Sequence, residues 1–406
     1  MFPVFRFRRI CSTPASCLLP ASTSVTACFQ LPAVFEKHLT LLCLLLTAGL
    51  LVAGLWPFNF WTQNHVSVVP GTGLKFDGPP EHTKWNLGGM AFTQKPVACR
   101  TLDDCKAGAV TILMQLQSND DARSCVREVL DIRRLDGSPA FIVGQWQSEL
   151  IIRSFGPNAG KYREIGVDGT FVPGVKRTVA VTSGLEGTDI VIDGRPTQHF
   201  SRFRMLTANE SLQGQKLYIA NSPELGCPWA GSFSELVVLG RSWTHSALEN
   251  FRWNDAGGRC SETPGAVACY DLGRMQGDTV PDQSGSGNGL SVPRHLAFDK
   301  RALALPDWES FSVSDLVVNI LGFVPFGFLI YLRLLQSRSL RWDSSMLLAV
   351  IVGFVLSLAI ELTQAWLPGR DSSMSDLIAN TFGTAVGVAI GSTAGRGREE
   401  RAGSWQ

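Results

Sequence analysis

Three pairs of polar residues stand in otherwise apolar sequence, and their spacing is helical. Asp315 and Asn319 are four apart, Glu361 and Gln364 three apart, and Asp376 and Asn380 four apart. Residues three or four apart share one helix face. Ionisable groups in hydrocarbon are costly and usually face a bundle interior, where they mark functional sites. Glu361 and Asp376 could do acid/base work, with Arg370 holding an anionic group such as a phosphate. Alternatively, Asp315, Asn319, Gln364, Arg370 and Asn380 bind or carry a ligand, or the pairs only bond helix to helix. No nucleophile-plus-base arrangement accompanies them, so Glu361 and Asp376 remain candidates and no catalytic residue is assigned.

The elements that must position these residues are long apolar segments. A hydrocarbon core of about 30 Å needs about 20 apolar residues in a helix. Leu39–Leu55, Leu316–Leu335 and Met346–Leu367 meet or approach that length, and Pro325 should bend the second. A fourth span, Leu377–Gly391, is shorter, but Gly383, Gly387 and Gly391 recur every fourth residue. That spacing lines one face with small residues, where backbones approach closely in lipid. Gly383 and Gly387 continue the face of Asp376 and Asn380.

Arg6, Arg8, Arg9 and Lys37 precede the first span; Arg333, Arg338 and Arg341 close the second; Arg396, Arg398 and Arg401 follow the fourth. The positive-inside rule then puts both termini in the cytoplasm, with the large middle segment and the loop around Arg370 outside. All three polar pairs fall at one depth. Glu361 lies about 9 Å below the outer surface at the helical rise per residue, roofed by Pro368–Ser373 with Arg370 as countercharge. The run Trp56-Pro57-Phe58-Asn59-Phe60-Trp61 suits the bilayer interface. Leu39–Leu55 also reads as a cleavable signal segment, since Val52 and Gly54 are small.

The chain thus divides into a poorly ordered cytoplasmic segment (1–37), a first span (38–61), an extracytoplasmic domain (62–300), a membrane domain of three spans (301–395) and a cytoplasmic tail (396–406). This is a multi-pass protein of the cell (inner or plasma) membrane, in contact with lipid. A net charge of +1 supplies no electrostatic case for nucleic acid.

In the middle segment, strand-like runs alternate with turns. Val110–Leu116, Glu128–Arg134, Ala140–Trp146, Leu150–Phe155, Thr178–Thr182, Thr188–Ile192, Lys216–Ala220 and Phe233–Leu239 carry β-branched or aromatic residues. Asp136-Gly137, Asp168-Gly169 and Asp193-Gly194 supply turns that tolerate positive φ. An all-β sandwich or barrel follows, over about Gly73–Asn254, with Ala268–Pro293 a linker-like β segment. Trp85, Trp146, Trp229 and Trp243 are candidates for stacking on a sugar ring, or for filling the core. Loop Asp and Asn could ligate Ca2+, but no EF-hand-like pattern appears, so calcium is disfavoured and any cofactor is unknown. No Cys/His cluster suggests zinc. Of ten cysteines, Cys99, Cys105, Cys125, Cys227, Cys260 and Cys269 fall in this segment. Six cysteines can pair in 15 ways; close spacing favours Cys99–Cys105 and Cys260–Cys269.

Two resemblances follow from these residues. Thr178-Val-Ala-Val-Thr182, Thr188–Arg195, Leu217–Ala220 and Trp229–Leu239, with Ser246-Ala-Leu248 opening a short helix, resemble concanavalin-like, laminin-G-like jelly rolls, whose members bind sugars or proteins. Asp315–Gly327, Glu361-Leu-Thr-Gln364, Leu367–Arg370, Asp376–Gly383 and Trp56–Phe60 resemble the VanZ-like membrane family. That family's founding member is associated with resistance to the glycopeptide teicoplanin, which acts at the cell wall. The resemblance implies a VanZ-like bundle of four transmembrane helices carrying an inserted jelly roll in the cell envelope. Envelope glycan or an envelope protein is the implied partner; a membrane enzyme or lipid handler for a cell-wall or lipid-linked substrate is the alternative.

Overall fold

The computed structural model describes residues 33–78, 87–120, 122–156, 161–250, 263, 265–296, 302–305, 312–336, 342–368 and 370–403. Trp85, Cys260 and the first 32 residues lie outside the described residues.

The middle of the chain is a sandwich of two antiparallel sheets. In chain order its strands are β1 (Thr62–Gln63), β2 (Val66–Val69), β3 (Gly73–Phe76), β4 (Ala91–Thr93), β5 (Val110–Ser118), β6 (Ala122–Arg133), β7 (Pro139–Gln147), β8 (Glu149–Phe155), β9 (Tyr162–Val167), β10 (Lys176–Gly184), β11 (Gly187–Ile192), β12 (Arg195–Phe200), β13 (Lys216–Ile219), β14 (Gly231–Leu239), β15 (Ala266–Asp271), β16 (Thr279–Val280), β17 (Leu290–Ser291) and β18 (His295–Leu296). One sheet runs β12-β11-β10-β5-β14-β3-β2, with β15 also on β14; the other runs β16-β17-β4-β13-β6-β7-β8-β9. The alternation read in the sequence sets the faces. In β8, Leu150 and Ile152 enter the core, so Glu149, Ile151 and Arg153 point outward. Asp193 and Gly194 both have positive φ (51° and 71°), the requirement of the tight hairpin between β11 and β12.

All eight runs read as strands are strands. Ala268–Pro293 is more than a linker: β15 to β17 complete both sheets, with Val267, Tyr270, Val280 and Leu290 in the shared core. Disulfides join Cys99 to Cys105 and Cys125 to Cys227. The first was favoured by spacing, whereas the second joins residues 102 apart. The insert closes on itself, because β1 pairs with β18 (Thr62 opposite Leu296, Gln63 opposite His295). Asn64 reinforces the closure, its Nδ2 donating to Pro293 O at 2.8 Å and Met90 O at 2.9 Å.

The helices are α1 (Ala33–Leu55), α2 (His245–Asn250), α3 (Val313–Leu335), α4 (Trp342–Gln364) and α5 (Met374–Gly403). Among the described residues, three helices are long and apolar enough to cross a membrane: Lys37–Leu55 of α1, α3 and α4. The expected fourth span corresponds to α5, whose glycines, threonines and polar first turn leave it short of that apolar content. It nevertheless packs along α3. A Cβ on Gly383 would strike the carbonyl of Ile320, and one on Gly387 the carbonyl of Val324. Gly327 fits against the Thr384 backbone and Gly353 against its side chain. The glycine pairings make α3 parallel to α5, and Gly353 beside Thr384 with Ser357 beside Asn380 makes α4 antiparallel to it. On the other side, Leu46, Leu50, Leu51 and Leu55 of α1 pack on Phe323, Phe326 and Ile360. Gly54 meets Ile360, while Arg333 Nε donates to Thr40 Oγ1 at 3.0 Å. Hence α1 and α4 end where α3 and α5 begin, and the sandwich joins the bundle at that same end.

Two measurements check this packing. Gly387→Leu should lower the thermal midpoint of the detergent-solubilised protein by overpacking worth about 1–3 kcal/mol or more, whereas Gly49→Leu, with no atom within 4 Å of its Cβ, should not. In the sandwich, burial first and then the charge of Asp131 push the Glu128 carboxyl from 4.5 up to about 8. The folded chain holds that proton more tightly than the unfolded one, so the contribution is full below about 4.5 and is lost as pH rises through about 8. The sandwich should therefore lose thermal stability across that window, and Glu128→Gln should flatten the slope.

Candidate functional site

At the shared end of the bundle the helices bring together most of the polar residues singled out by spacing. Glu361 is 2% exposed, and its Oε2 accepts from the backbone N–H of Ser373 at 2.8 Å. Its carboxylate lies close enough to Asp376 for their charges to interact, and Asp376 is likewise near Asp315. The Asn319 amide meets the Asp376 carboxylate, tying α3 to α5. One turn deeper, Asn380 Nδ2 donates to Ser357 Oγ at 3.0 Å, tying α5 to α4. One turn nearer the surface, Gln364 Nε2 donates to Gly54 O at 2.8 Å, tying α4 to α1. Gln364 Oε1 and Asn380 Oδ1 are buried with no hydrogen-bond partner among the described residues. The site is therefore richer in acceptors than in donors. Asp315 is exposed at the first turn of α3, where a negative charge suits the helix N-terminus.

Arg370, expected as a countercharge, also bonds to the end of α1. Its Nε donates to Trp56 O at 3.1 Å and its Nη2 to Ala53 O at 2.9 Å. The guanidinium thus caps the C-terminal carbonyls of α1, where a cation is favoured by the helix dipole. The last turn of α1 contains no basic residue, and this is the sequence signal that would have pointed to a cap from elsewhere. Ser357 was also missed, although it lies four residues before Glu361 on the buried face of α4. The loop over the site is joined by the segment returning from the sandwich. Ala304 N donates to Ser372 O at 2.9 Å, and Met374 N donates back to Ala304 O at 3.0 Å. Exposed Trp56, Phe58, Trp61 and Trp366 stand around this end, an arrangement suited to a membrane interface.

Three of the four tryptophans lie among the described residues and separate clearly; Trp85 lies outside them. Trp229 is fully buried in the sandwich, its Nε1 donating to Gln145 Oε1 at 2.8 Å, so it is unavailable for stacking on a sugar. Trp243 is half-buried against a small cluster that includes Leu113, Val237 and Leu248. Trp146 is the one of these three that lines an open cleft, of about 560 Å³, on the outer face of β7, β8 and β9. Glu149, Arg153, Glu164 and Gly166 share that cleft. Arg153 Nε donates to Glu164 Oε2 at 2.6 Å, and the guanidinium lies 4.7 Å from the centre of the Tyr162 ring. The Glu149 carboxylate lies across Gly166 on the floor, and a Cβ there would make that side chain swing aside.

The capping role of Arg370 is open to a direct check. Arg370→Ala should destabilise the protein in nanodiscs by about 2 kcal/mol, read as a lower thermal midpoint, the range for hydrogen bonds from a charged donor. Arg370→Lys should recover part of the loss, because it keeps the charge but not the fork.

Comparison with known proteins adds the following. Residues 282–394 match the family model described as VanZ/LLP1, a stretch that contains α3, α4 and most of α5. No curated protein matches the chain. Similar solved structures include a native heptameric SAP-like pentraxin from Limulus polyphemus, 12% identical over 45% of this chain and 82% of that one, with a TM-score of 0.33. Another is the Ruminococcus gnavus IT-sialidase CBM40 bound to alpha2,3 sialyllactose, 10% identical over 46% and 96%, with a TM-score of 0.30. A third is the NanB sialidase from Streptococcus pneumoniae, 10% identical over 39% and 28%, with a TM-score of 0.31.

Proposed function

We propose that the chain is a multi-pass protein of the cell envelope in which four membrane helices hold a lectin-like, concanavalin-type jelly roll outside the cell, and that this domain binds envelope glycan. The observation that carries the reading is the cleft on β7 to β9. It presents a half-buried Trp146 face beside polar side chains, as recognition of a pyranose ring requires: an apolar surface for the ring and hydrogen-bonding groups for its hydroxyls. The VanZ/LLP1 match over residues 282–394 supports the envelope setting. The distribution of Lys and Arg supports cytoplasmic termini, and the common end at which α1 and α4 finish and α3 and α5 start supports a single outer face.

A second reading has one specific observation in its favour. Asp315, Glu361 and Asp376 gather at the outer end of the bundle, as an enzyme or lipid handler acting on a cell-wall or lipid-linked substrate would need. Its weakness is that Glu361, Asn319, Gln364, Asn380 and Arg370 each already join two parts of the bundle.

A glycan array probed with the full chain in nanodiscs tests the first reading. Wild type should bind a subset of envelope glycans, and Trp146→Ala should lose at least about tenfold in affinity with an unchanged thermal midpoint, a tenfold change being 1.4 kcal/mol. A wild-type protein that binds no glycan, or a Trp146→Ala variant that binds as well, would refute it and favour a protein partner.

A further inference from the structure

The charges in the Trp146 cleft select among sugars. Across the β7–β8 hairpin Trp146 stands directly opposite Glu149, so a ring stacked on the indole has its edge beside that carboxylate. Glu164 lies further along, opposite Arg153 on β8. Residues 149 and 153 are four apart, which on a strand is about 13 Å, a span suited to an oligosaccharide more than to one ring. The carboxylates of Glu149, Glu164 and, just beyond, Asp168 are near enough for Glu149 to feel both of the others. The cation lining the cleft is the Arg153 guanidinium, and it is already engaged by Glu164 and by the Tyr162 ring. Burial first, and then the charges of Asp168 and Glu164, raise the Glu149 carboxyl above its ordinary range. The Arg153–Glu164 pair largely cancels, so Glu149 gives the cleft its net negative charge, which stabilises a positive group and repels a negative one.

We infer that the cleft takes a hexosamine oligosaccharide with free amino groups, and that it discriminates against N-acetylated and acidic sugars. Trp146 supplies the stacking surface common to all sugars. Glu149 is the specificity residue, accepting from the ammonium of the ring that Trp146 holds. Glu164, paired with Arg153, offers carboxylate oxygens as hydrogen-bond acceptors to the hydroxyls of the next rings. This inference rests on the glycan reading of the same cleft.

The test is calorimetric titration of the full chain in nanodiscs at about pH 6.5 with three oligosaccharides of equal length: a glucosamine oligomer, its N-acetylated form and a uronic acid oligomer. The glucosamine oligomer should bind at least about tenfold more tightly than the N-acetylated one, with the uronate weakest. Glu149→Gln should reduce that preference to within about threefold without altering the thermal midpoint, and added salt should weaken the preferred ligand most. Equal or tighter binding of the N-acetylated or acidic oligomer, lost in Trp146→Ala, would overturn the charge selection and leave glycan binding in place. Failure of wild type to bind any of the three would overturn the inference. The glycan reading falls with it only when the glycan array is blank as well.

Discussion

A carboxylate buried on a helix apolar enough to cross a membrane must be given a donor by the protein, because hydrocarbon offers none. Glu361 receives it from the backbone N–H of Ser373. That bond fixes the end of α4 against the start of α5, and the neighbouring bonds extend the same joint outward. Gln364 reaches α1, Asn319 joins α3 to α5, and Arg370 closes the carbonyl end of α1. The segment leaving the sandwich pairs with Ser372 and Met374 on either side of Ser373. One end of the bundle is therefore a polar joint in which all four long helices and the return from the sandwich meet. The opposite half is held differently, by glycines that bring α5 against the carbonyls of α3.

The insert can be large because its ends are brought together before they reach the bundle. β1 and β18 pair, and the Asn64 side chain bonds across to the same region, so the sandwich enters and leaves through one narrow neck. Its core is its own, built from both sheets and stapled by Cys125–Cys227. The bundle consequently needs to supply position rather than stability to the sandwich, and the cleft of Trp146 lies on an outer sheet face, separate from that core.

Much of this was legible in the sequence where period and burial coincide. Eight strands follow from apolar alternation, and Gly383 and Gly387 announce close packing because nothing larger fits beside a backbone carbonyl. Tyr162–Val167 and Arg195–Phe200 escaped notice because both are sheet-edge strands; the first is exposed over Tyr162–Glu164 and alternates only at Ile165 and Val167, and the second is exposed almost throughout. β15 to β17 were hidden by the glycines and serines of the turns between them. At the bundle end, helical spacing marked Glu361, Asp376 and Asn380, and the helices place Glu361 near Asp376 and bond Asn380 to Ser357. It could not say that the Arg370 side chain would reach the end of α1, because a demand from backbone carbonyls leaves no mark in side-chain periodicity. Nor could it separate Trp146 from Trp229. One lies half-buried at an outer cleft and the other is fully buried, and only the completed sandwich distinguishes them.

The sandwich and the polar joint make competing claims to be where a ligand acts. Hydrogen–deuterium exchange of the full chain in nanodiscs, with and without envelope glycan fragments, compares them in one measurement. The account predicts slower exchange on ligand addition at β7, β8 and β9, residues 139–167, with the loop around Ser373 unchanged. Protection confined to residues 365–376, with none on those three strands, would contradict it.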